Sequence, residues 1–427
     1  MHNDGSFLLP FLLLLSAGVA HGRLISDGGL HQSPELLRLK PSGTASSSCD
    51  LTYGFMPCTT TTLGNLFLML VYGYIMYRGA TFLNRGSNLF LQILQPGIFG
   101  GVFLPILLEL PGVMLSLASG LVGDIDSVQT QVSVGMGLLA GSTVFLLTVI
   151  WGTCVVVGKC DLQDGVAIDE QDTMTFSLTG SGVSTEDSYA ARIMAVSAVP
   201  FLLAQLPQVM SSTSGSHWAI LIALVVSLLL LISYCVYQVF WHGIQQTRID
   251  HSLLDDQRDE MIAAIENPQR ASVKAALLLL LGTFLVAAFA DPLVVAVDNF
   301  SEATSTPRFF ISFIVLPLAS NSELITGILL ASQKTSRSAT LTFSQLYGLA
   351  VMQNLLSLSV LLALVYFRDL TWAFSAEVLV NFVVCLLMGA FASFHTTYPL
   401  WTSLVAFLLY PFSLALVYVL HYIVRWS

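Results

Sequence analysis

Two glutamates, Glu109 and Glu323, lie near the middle of long apolar stretches of the chain. A carboxylate deep in a membrane helix costs about 3 kcal/mol on insertion scales, so such a residue is a candidate functional site. Ser320 and Asn321 come just before Glu323, which places hydroxyl, amide and carboxylate oxygens within one helical turn. Hard cations such as Ca²⁺ bind about six to eight oxygen ligands. This pattern therefore predicts a binding site for a hard cation.

A second polar group occurs in the next apolar stretch of each half of the chain: Ser142 and Thr143 in the first half, Gln353 and Asn354 in the second. Oxygen ligands from four helices that meet at mid-depth would form a cage of the size that Ca²⁺ requires. Two alternatives remain open. The hydroxyls can instead bond to carbonyls of their own helix, and either glutamate can be a protonated, hydrogen-bonded structural residue.

The composition indicates that most of the chain is embedded in a lipid bilayer. Of 427 residues, 55% are apolar and only 10% are charged, whereas a soluble protein has about 25% charged residues. A net charge of −10 without a basic stripe argues against nucleic acid as a partner. Much of the acidic charge lies in two hydrophilic loops, 161–187 and 250–266. They are either solvated loops or a vestibule that attracts cations.

Hydropathy predicts ten membrane-spanning helices. A span needs about 20 apolar residues, and several of these stretches are longer, which favours tilted or broken helices. The predicted spans are 63–82, 96–120, 131–157, 190–210, 217–241, 272–290, 309–332, 339–367, 371–394 and 399–424.

The segment before the first span has the features of a secreted N-terminus. Residues 1–22 have a short apolar core followed by small residues, which predicts a cleaved signal peptide. Residues 23–62 are then a lumenal or extracellular segment. Cys49 and Cys58 stand alone in this segment, so we expect them to form a disulfide in that oxidising compartment.

The distribution of Lys and Arg predicts the orientation of the spans. With the mature N-terminus outside, ten of the 16 basic residues fall on the cytosolic side, in agreement with the positive-inside rule. The same orientation places the sequon that begins at Asn299 in an outside loop, where it is a glycosylation site. The two observations are independent, and both favour this topology.

An internal repeat divides the membrane region into two halves. Pro105 and Pro317 open similar segments 212 residues apart, and the stretches that begin at Gly137 and Gly348 are 211 residues apart. Five spans per half is an odd number, so the halves must insert with opposite topology, as in many secondary transporters. We therefore predict an all-α membrane protein of about ten transmembrane helices in two inverted five-helix repeats. Helix breaks are expected at Pro111, Gly112 and Pro317.

These boundaries also predict the organisation of the chain. The signal peptide and the N-terminal segment precede the first five-helix repeat, which occupies residues 63–241. Residues 242–271 form a cytosolic linker, and residues 272–427 form the second repeat.

At these residues the chain resembles the cation/Ca²⁺ exchanger superfamily, and in particular its plant sodium/calcium exchanger-like branch. The resemblance covers residues 49–427, and its most specific stretches are 131–143, 158–161, 317–323 and 388–394. It implies antiport of Ca²⁺ against Na⁺ or H⁺ by alternating access. It also implies one acidic ligand in each half, which in the second half is Glu323.

The sequence departs from that family pattern at two places. The 211-residue offset places Gly112, and not an acid, opposite Glu323. Glu109 lies one helical turn before Gly112 on nearly the same face, and we hypothesise that it replaces the missing carboxylate. The 242–271 linker also has no Asp-x-Asp-x-Asp-Gly run, so the EF-hand module usual in this branch is not expected.

The leading hypothesis is a secondary active cation antiporter that contributes to calcium and sodium homeostasis. A transport-impaired protein of the same fold, with an ion-binding or regulatory role, is the alternative, and a channel is the third. No His-Glu-x-x-His, Walker A or Gly-x-Ser-x-Gly motif is present, so an enzyme is not expected.

No cofactor is expected, since Ca²⁺ is the transported ion and Na⁺ or H⁺ the counter-ion. The expected partners are the lipid bilayer and these divalent and monovalent cations. The expected location is an endomembrane, such as the vacuolar membrane, or the plasma membrane.

Overall fold

The computed structural model describes Thr59 and residues 61–93, 104–121, 125–163, 166–173, 177–185, 188–209, 216–249, 268–372 and 374–420. Several sequence expectations concern other residues. The signal peptide, the Cys49–Cys58 disulfide and the acidic residues of the 250–266 loop all lie outside the described residues.

Helices account for most of the described residues. In the first half they are α1 (Thr62–Ile93), α2 (Leu104–Leu121), α3 (Ile125–Phe145), α4 (Trp151–Val157), α5 (Tyr189–Ser197), α6 (Val199–Val209) and α7 (Ser216–Ile249). In the second half they are α8 (Pro268–Thr304), α9 (Arg308–Ser320), α10 (Glu323–Ala331), α11 (Ser336–Met352), α12 (Leu358–Phe367), α13 (Ser375–Phe394) and α14 (Leu400–Tyr418). Four short strands complete the described elements: β1 (Cys160–Gln163), β2 (Val166–Ala167), β3 (Ser181–Ser184) and β4 (Thr397–Pro399).

The observed helices confirm the prediction of about ten transmembrane helices in two inverted five-helix repeats. Eight described helices are long and apolar enough to cross a membrane, and two shorter apolar helices, Pro105–Ala118 and Arg308–Ser320, occupy the second span of each half. The outermost helices expose apolar side chains such as Phe67 and Leu277. This is the arrangement expected when hydrocarbon, and not water, surrounds the helices.

A π-helical segment interrupts the third span of each half. The first, π1 (Leu146–Ile150), joins α3 to α4, and the second, π2 (Gln353–Ser357), joins α11 to α12. The two segments begin 207 residues apart, about one turn less than the 211-residue repeat offset. These two interrupted helices are also the most buried spans of the described protein. They form the centre of the molecule.

The helix breaks are not where the prolines predicted them. α2 runs without interruption from Leu104 to Leu121 through Pro111 and Gly112. Pro317 also lies inside a helix, α9, and the chain leaves helical geometry only at Asn321, with φ −92° and ψ 82°. Asn321 bonds to the Pro317 carbonyl through both its backbone N–H and its Nδ2, at 3.1 and 2.9 Å.

The predicted breaks at Pro111, Gly112 and Pro317 are therefore wrong. A proline removes one N–H bond, and neighbouring helices in a bundle compensate for that loss. The side chain of Asn321, by contrast, competes directly for the terminal carbonyl of α9 and ends the helix there.

α8 is longer than the sequence predicted. The span was expected to end near Ala290, yet the helix continues through Pro292 to Thr304. Val294 and Val297 pack into an apolar cluster with helices α1 and α2, which stabilises the extension. The sequence predicted Asn299 to lie in a loop outside the membrane. In the structure it lies within α8. Its glycosylation stays a prediction.

Two glycines allow a helix of the first half to contact a helix of the second half at backbone distance. A Cβ atom on Gly141 of α3 would lie 2.8 Å from the Cα of Phe313 in α9. A Cβ on Gly137, one turn earlier, would lie 2.9 Å from the Phe309 carbonyl oxygen. Only small residues permit such an approach in a membrane bundle. This crossing brings the first half of α9 close to the second half of α3.

The acidic loop between α4 and α5 is folded into a small sheet. The strand order is β2-β1-β3-β4, and every pair is antiparallel. β4 comes from the turn between α13 and α14, so the sheet joins the two halves, with Val183 opposite Tyr398. Asp161 in β1 is only 8% exposed. Asp169 and Glu170, by contrast, are exposed, so the described part of this loop is an ordered sheet with a solvent-exposed face.

Asp172 holds the two halves together at the same end of the molecule. Its carboxylate accepts hydrogen bonds from Lys159 Nζ at 2.9 Å and from Lys334 Nζ at 2.5 Å. Lys159 follows α4, and Lys334 lies in the turn between α10 and α11. The Lys334 and Lys159 ammonium groups hold the pKa of Asp172 below its ordinary value of 3.8. The carboxylate is therefore ionised at neutral pH and anchors the end of α10 to the first half.

We expect Gly141→Ala to destabilise the protein by roughly 1–3 kcal/mol or more, because the added methyl meets the backbone of Phe313, which cannot rotate away. Thermal melts of the purified protein in detergent measure this effect. Gly327→Ala is the control, since a Cβ there meets its nearest neighbour only at 3.9 Å. Equal melting temperatures for the two variants would contradict the close crossing of α3 and α9.

We expect Asp172→Asn to lower stability at pH 7 by about 1 kcal/mol or less, as for other partly exposed ion pairs. The native carboxylate has a lowered pKa, so its stabilisation is complete above pH 3.8 and is lost as the pH falls through the native value. Wild type and variant should therefore differ in melting temperature at pH 7 and converge as the pH falls below 3.8 through the native pKa of Asp172. Glu302→Gln, which changes an exposed carboxyl near the end of α8, should show no such difference. A difference in melting temperature that persisted at low pH would show that the ionised Asp172 carboxylate is not the source of the stabilisation.

Candidate cation-binding site

Glu109 is a buried carboxylate in the middle of α2, with 7% of the residue exposed. Its Oε1 accepts a hydrogen bond of 2.8 Å from Ser357 Oγ. Ser357 is the last residue of π2, so this bond crosses from the first half to the second. An ionised carboxylate in a membrane interior is tolerated when a cation or hydrogen-bond donors satisfy it. Glu109 thus lies buried at the interface of the halves, and its role as an ion ligand stays a prediction.

The Glu109 carboxylate occupies the space beside Gly112, one helical turn further along α2. A Cβ atom built on Gly112 would lie 2.7 Å from Glu109 Oε1 and 3.6 Å from Ser357 Oγ. The absence of a side chain at Gly112 thus leaves room for the carboxylate of Glu109. The two residues were expected to lie on nearly the same helix face, and the structure places them in direct contact.

Thr143 connects the two halves at a second point. Its Oγ1 lies 3.2 Å from Asn354 Oδ1 and 3.5 Å from Gln353 Oε1, and donates towards these amide oxygens. Gln353 Nε2 in turn donates to Asn321 Oδ1 at 2.9 Å. Four residues that the sequence had singled out, on three separate elements, therefore form one hydrogen-bonded group. The alternative in which Thr143 bonds only to its own helix does not describe the structure.

Ser142 has a buried hydroxyl for which the described residues provide no hydrogen-bond partner, and it is only 4% exposed. Val134 and Leu138, earlier on the same face of α3, pack in one cluster with residues of α2 and α9. Ser142 thus faces the region between those helices. A buried hydroxyl without a partner is costly, and an ion or water between the helices would satisfy it.

Ser320 behaves differently from Ser142. Its Oγ donates to the Leu316 carbonyl of its own helix at 3.0 Å. This is the common arrangement of a serine in a membrane helix. Its lone pairs remain for an ion, so its role as a ligand stays a prediction.

Glu323 is the first residue of α10, two residues after Asn321. Its side chain lies outside the described residues, so its part in the site also stays a prediction. The backbone nevertheless places it immediately after the helix break, next to the amide of Asn321.

Sequence reasoning missed Ser357, although it lies one helical turn after Gln353 and Asn354. In a π-helical segment the turn is wider than in an α-helix, and such segments are frequent at functional sites. The three polar side chains of π2 all form hydrogen bonds with other elements: Gln353 with Asn321, Asn354 with Thr143, and Ser357 with Glu109. A single serine in an apolar stretch of sequence does not by itself indicate a functional residue.

The site offers carboxylate, amide and hydroxyl oxygens, which are the ligands of hard cations. Within the described residues, three or more His, Cys, Asp or Glu side chains converge nowhere in a way that would hold a metal. The polar group around Thr143 is therefore unlike the Cys- and His-rich sites of Zn²⁺ and instead matches the oxygen chemistry of Ca²⁺ or Na⁺.

Comparison with known proteins identifies relatives of the chain. Residues 274–419 match the family model described as "Sodium/calcium exchanger protein". The chain is 44% identical to the sodium/calcium exchanger NCL of Arabidopsis thaliana, over 97% of this chain and 94% of that protein. It is 41% identical to the sodium/calcium exchanger NCL1 of Oryza sativa subsp. japonica, over 98% of each. The Arabidopsis alignment runs over 556 positions, so at least 129 of them have no counterpart among the 427 residues of this chain.

Solved structures show the same fold at low sequence identity. The crystal structure of the H⁺/Ca²⁺ exchanger CAX matches with a TM-score of 0.60 and 13% identity, over 84% of this chain and 85% of that one. Native YfkE matches with a TM-score of 0.58 and 15% identity, over 95% and 99% of the two chains. Since near-full-length relatives share more than two fifths of its residues, the chain is a multi-pass membrane protein that belongs to the sodium/calcium exchanger family.

Proposed function

We propose that this protein is a secondary active antiporter that carries Ca²⁺ across a membrane in exchange for Na⁺ or H⁺. The observation that carries the proposal is the buried carboxylate of Glu109, held by Ser357 of the opposite half and adjoining a group of amide and hydroxyl oxygens. The printed names of the relatives, sodium/calcium exchangers, and of the fold relative CAX, an H⁺/Ca²⁺ exchanger, support it.

In this proposal Ca²⁺ binds between Glu109 and Glu323. Amide oxygens of Asn321 and Gln353 and the hydroxyl of Ser142 supply further ligands, since Ca²⁺ takes about six to eight oxygens. Thr143, Asn354 and Ser320 complete the candidate set. Two carboxylates neutralise one divalent cation, so the bilayer interior bears no net charge when the site is filled.

Coupling follows from competition for the same carboxylates. When Ca²⁺ leaves, the two negative charges cannot remain bare in a medium of low dielectric constant. Protons or Na⁺ ions must therefore replace it before the empty site is reoriented across the membrane. The inverted halves then expose the site alternately to the two sides. An endomembrane such as the vacuolar membrane, or the plasma membrane, is the proposed location.

One observation favours a second candidate function. Gly112 lies opposite Glu323 in the internal repeat, so a carboxylate is missing at one of the two equivalent positions. A protein that binds ions in this fold without carrying them would result if Glu109 cannot take over that role. Ion-dependent thermal stabilisation without flux in vesicles would distinguish this candidate from the antiporter.

We expect Glu109→Gln and Glu323→Gln each to reduce ⁴⁵Ca²⁺ uptake into proteoliposomes at least about tenfold. The loss of one charged ligand from a desolvated site accounts for that factor. Uptake is measured under an imposed Na⁺ or H⁺ gradient, and the gradient that drives it identifies the counter-ion.

Glu302→Gln, at an exposed position near the end of α8, is the matched control and should transport like the wild type. Undiminished uptake by Glu109→Gln would show that Glu109 is a structural residue. The absence of uptake by the wild type under either gradient would overturn the antiporter proposal.

We expect Gly112→Ala to lower the apparent Ca²⁺ affinity about tenfold while it changes the melting temperature little. The added methyl displaces the flexible end of Glu109 from Ser357 without meeting any backbone atom closely. Gly73→Ala is the control, because its nearest neighbour would be 3.9 Å away. The concentration dependence of uptake and thermal melts measure the two effects. Unchanged Ca²⁺ affinity in Gly112→Ala would show that the Glu109–Gly112 contact does not contribute to ion binding.

A further inference from the structure

A second group of polar side chains contacts Asn354 in addition to Thr143. Asn354 Nδ2 donates to Ser197 Oγ at 3.1 Å and to Cys385 Sγ at 3.4 Å. Asn381 Nδ2 donates to Asn354 Oδ1 at 3.3 Å. All four residues are almost completely buried, with at most 2% exposed, and Ser197 and Asn381 come from α5 and α13, outside the elements that carry the candidate ligands.

The hydrogen bonds of this group leave only one orientation for the Asn354 amide. Ser197 Oγ donates its own hydrogen to the Met194 carbonyl at 2.6 Å, and a carbonyl can only accept. The Ser197 oxygen is therefore left as an acceptor towards Asn354. An acceptor there requires the nitrogen of Asn354, and not its oxygen, to face Ser197.

A closed ring of three residues holds the orientation that Ser197 sets, because the Asn354 amide cannot turn over by itself without breaking the ring. Asn354 donates to Cys385, Cys385 Sγ lies 4.0 Å from Asn381 Oδ1 and donates towards it, and Asn381 Nδ2 donates back to Asn354 Oδ1. Turning the Asn354 amide over would place donors against donors at Asn381. Hydrogen-bond chains in a medium of low dielectric constant strengthen one another, and a mismatch in them is costly.

We propose that Asn381 and Ser197 are positioning residues that fix the amide oxygen of Asn354 towards the cation site. This inference rests on the proposed function. The oxygen so fixed accepts from Asn381 and meets Thr143 Oγ1. When the Thr143 hydroxyl donates instead to Gln353 Oε1, one lone pair of the Asn354 oxygen is free for a cation. A reversed amide would present two N–H groups to the same space and would repel a cation.

The position of the group supports this role. It lies within the largest apolar cluster, where Val380, Val384 and Ala392 of the same helix are all packed in the core. An apolar residue at 381 would satisfy packing without the cost of burying an amide. The polar side chains therefore serve the orientation of Asn354, which apolar neighbours cannot provide.

The test is the Ca²⁺ concentration that gives half-maximal thermal stabilisation of the purified protein, measured together with the half-saturation and maximal rate of ⁴⁵Ca²⁺ uptake. Asn381→Leu has a similar volume but no donor, and should raise both half-saturation values about tenfold with a maximal rate within about twofold of the wild type. Asn381→Ser retains a donor and should restore part of the affinity. Ser197→Ala should raise the half-saturation values severalfold. It is the second test variant, to be used if Asn381→Leu does not fold.

Ser227→Ala is the matched control for Ser197→Ala. Ser227 is equally buried and donates to the Leu355 carbonyl of π2 at 3.0 Å, so it touches the same segment without contacting the Asn354 amide. It should leave both half-saturation values at the wild-type level. Equal half-saturation in wild type, Asn381→Leu and Ser197→Ala would overturn the inference, as would equal shifts in Ser197→Ala and Ser227→Ala.

The two readouts separate this inference from the proposed function. A wild-type protein that is stabilised by Ca²⁺ but shows no uptake contradicts antiport, and the shift in stabilisation then still decides the role of Asn381. A wild-type protein that no Ca²⁺ concentration stabilises overturns the positioning role together with the site.

Discussion

The hydrogen bond between Ser357 and Glu109 shows the constraint on which the rest of the structure depends: polar groups in the bilayer interior must find their partners within the protein. Water cannot supply them at that depth. A carboxylate, three amides and several hydroxyls therefore collect where the two halves meet, because each half alone leaves its own polar groups unsatisfied.

Close packing of helices brings these groups together. Gly137 and Gly141 allow α3 to touch the backbone of α9, and this contact carries Thr143 to the level of Asn321 and Gln353. At one end, Asp172 and the four-stranded sheet join α10 and α13 to the first half. At the other end, Gln129 exchanges two hydrogen bonds with Thr371. These two sets of polar contacts both lie outside the candidate membrane spans.

The two halves are similar in fold but not in chemistry. Both contain a π-helical segment in the third span, yet only the second places three polar side chains in it. Glu109 lies in a continuous helix, whereas Glu323 follows a break at Asn321. In the first half, the absence of a side chain at Gly112 makes room for the carboxylate of Glu109.

The sequence by itself determined the spans, their number and the residues worth examining, because hydrocarbon demands long apolar helices and makes every embedded polar group conspicuous. The predicted helix breaks at Pro111 and Pro317 and the predicted end of α8 were wrong, since a proline is compatible with a helix that neighbouring helices support. The sequence also provided no sign of Ser357, Ser197 or Asn381. Those assignments depend on contacts between residues up to 248 positions apart, as for Glu109 and Ser357, and on the direction of each hydrogen bond. Only the tertiary structure decides which oxygen faces the ion, because an amide has one end that attracts a cation and one that repels it.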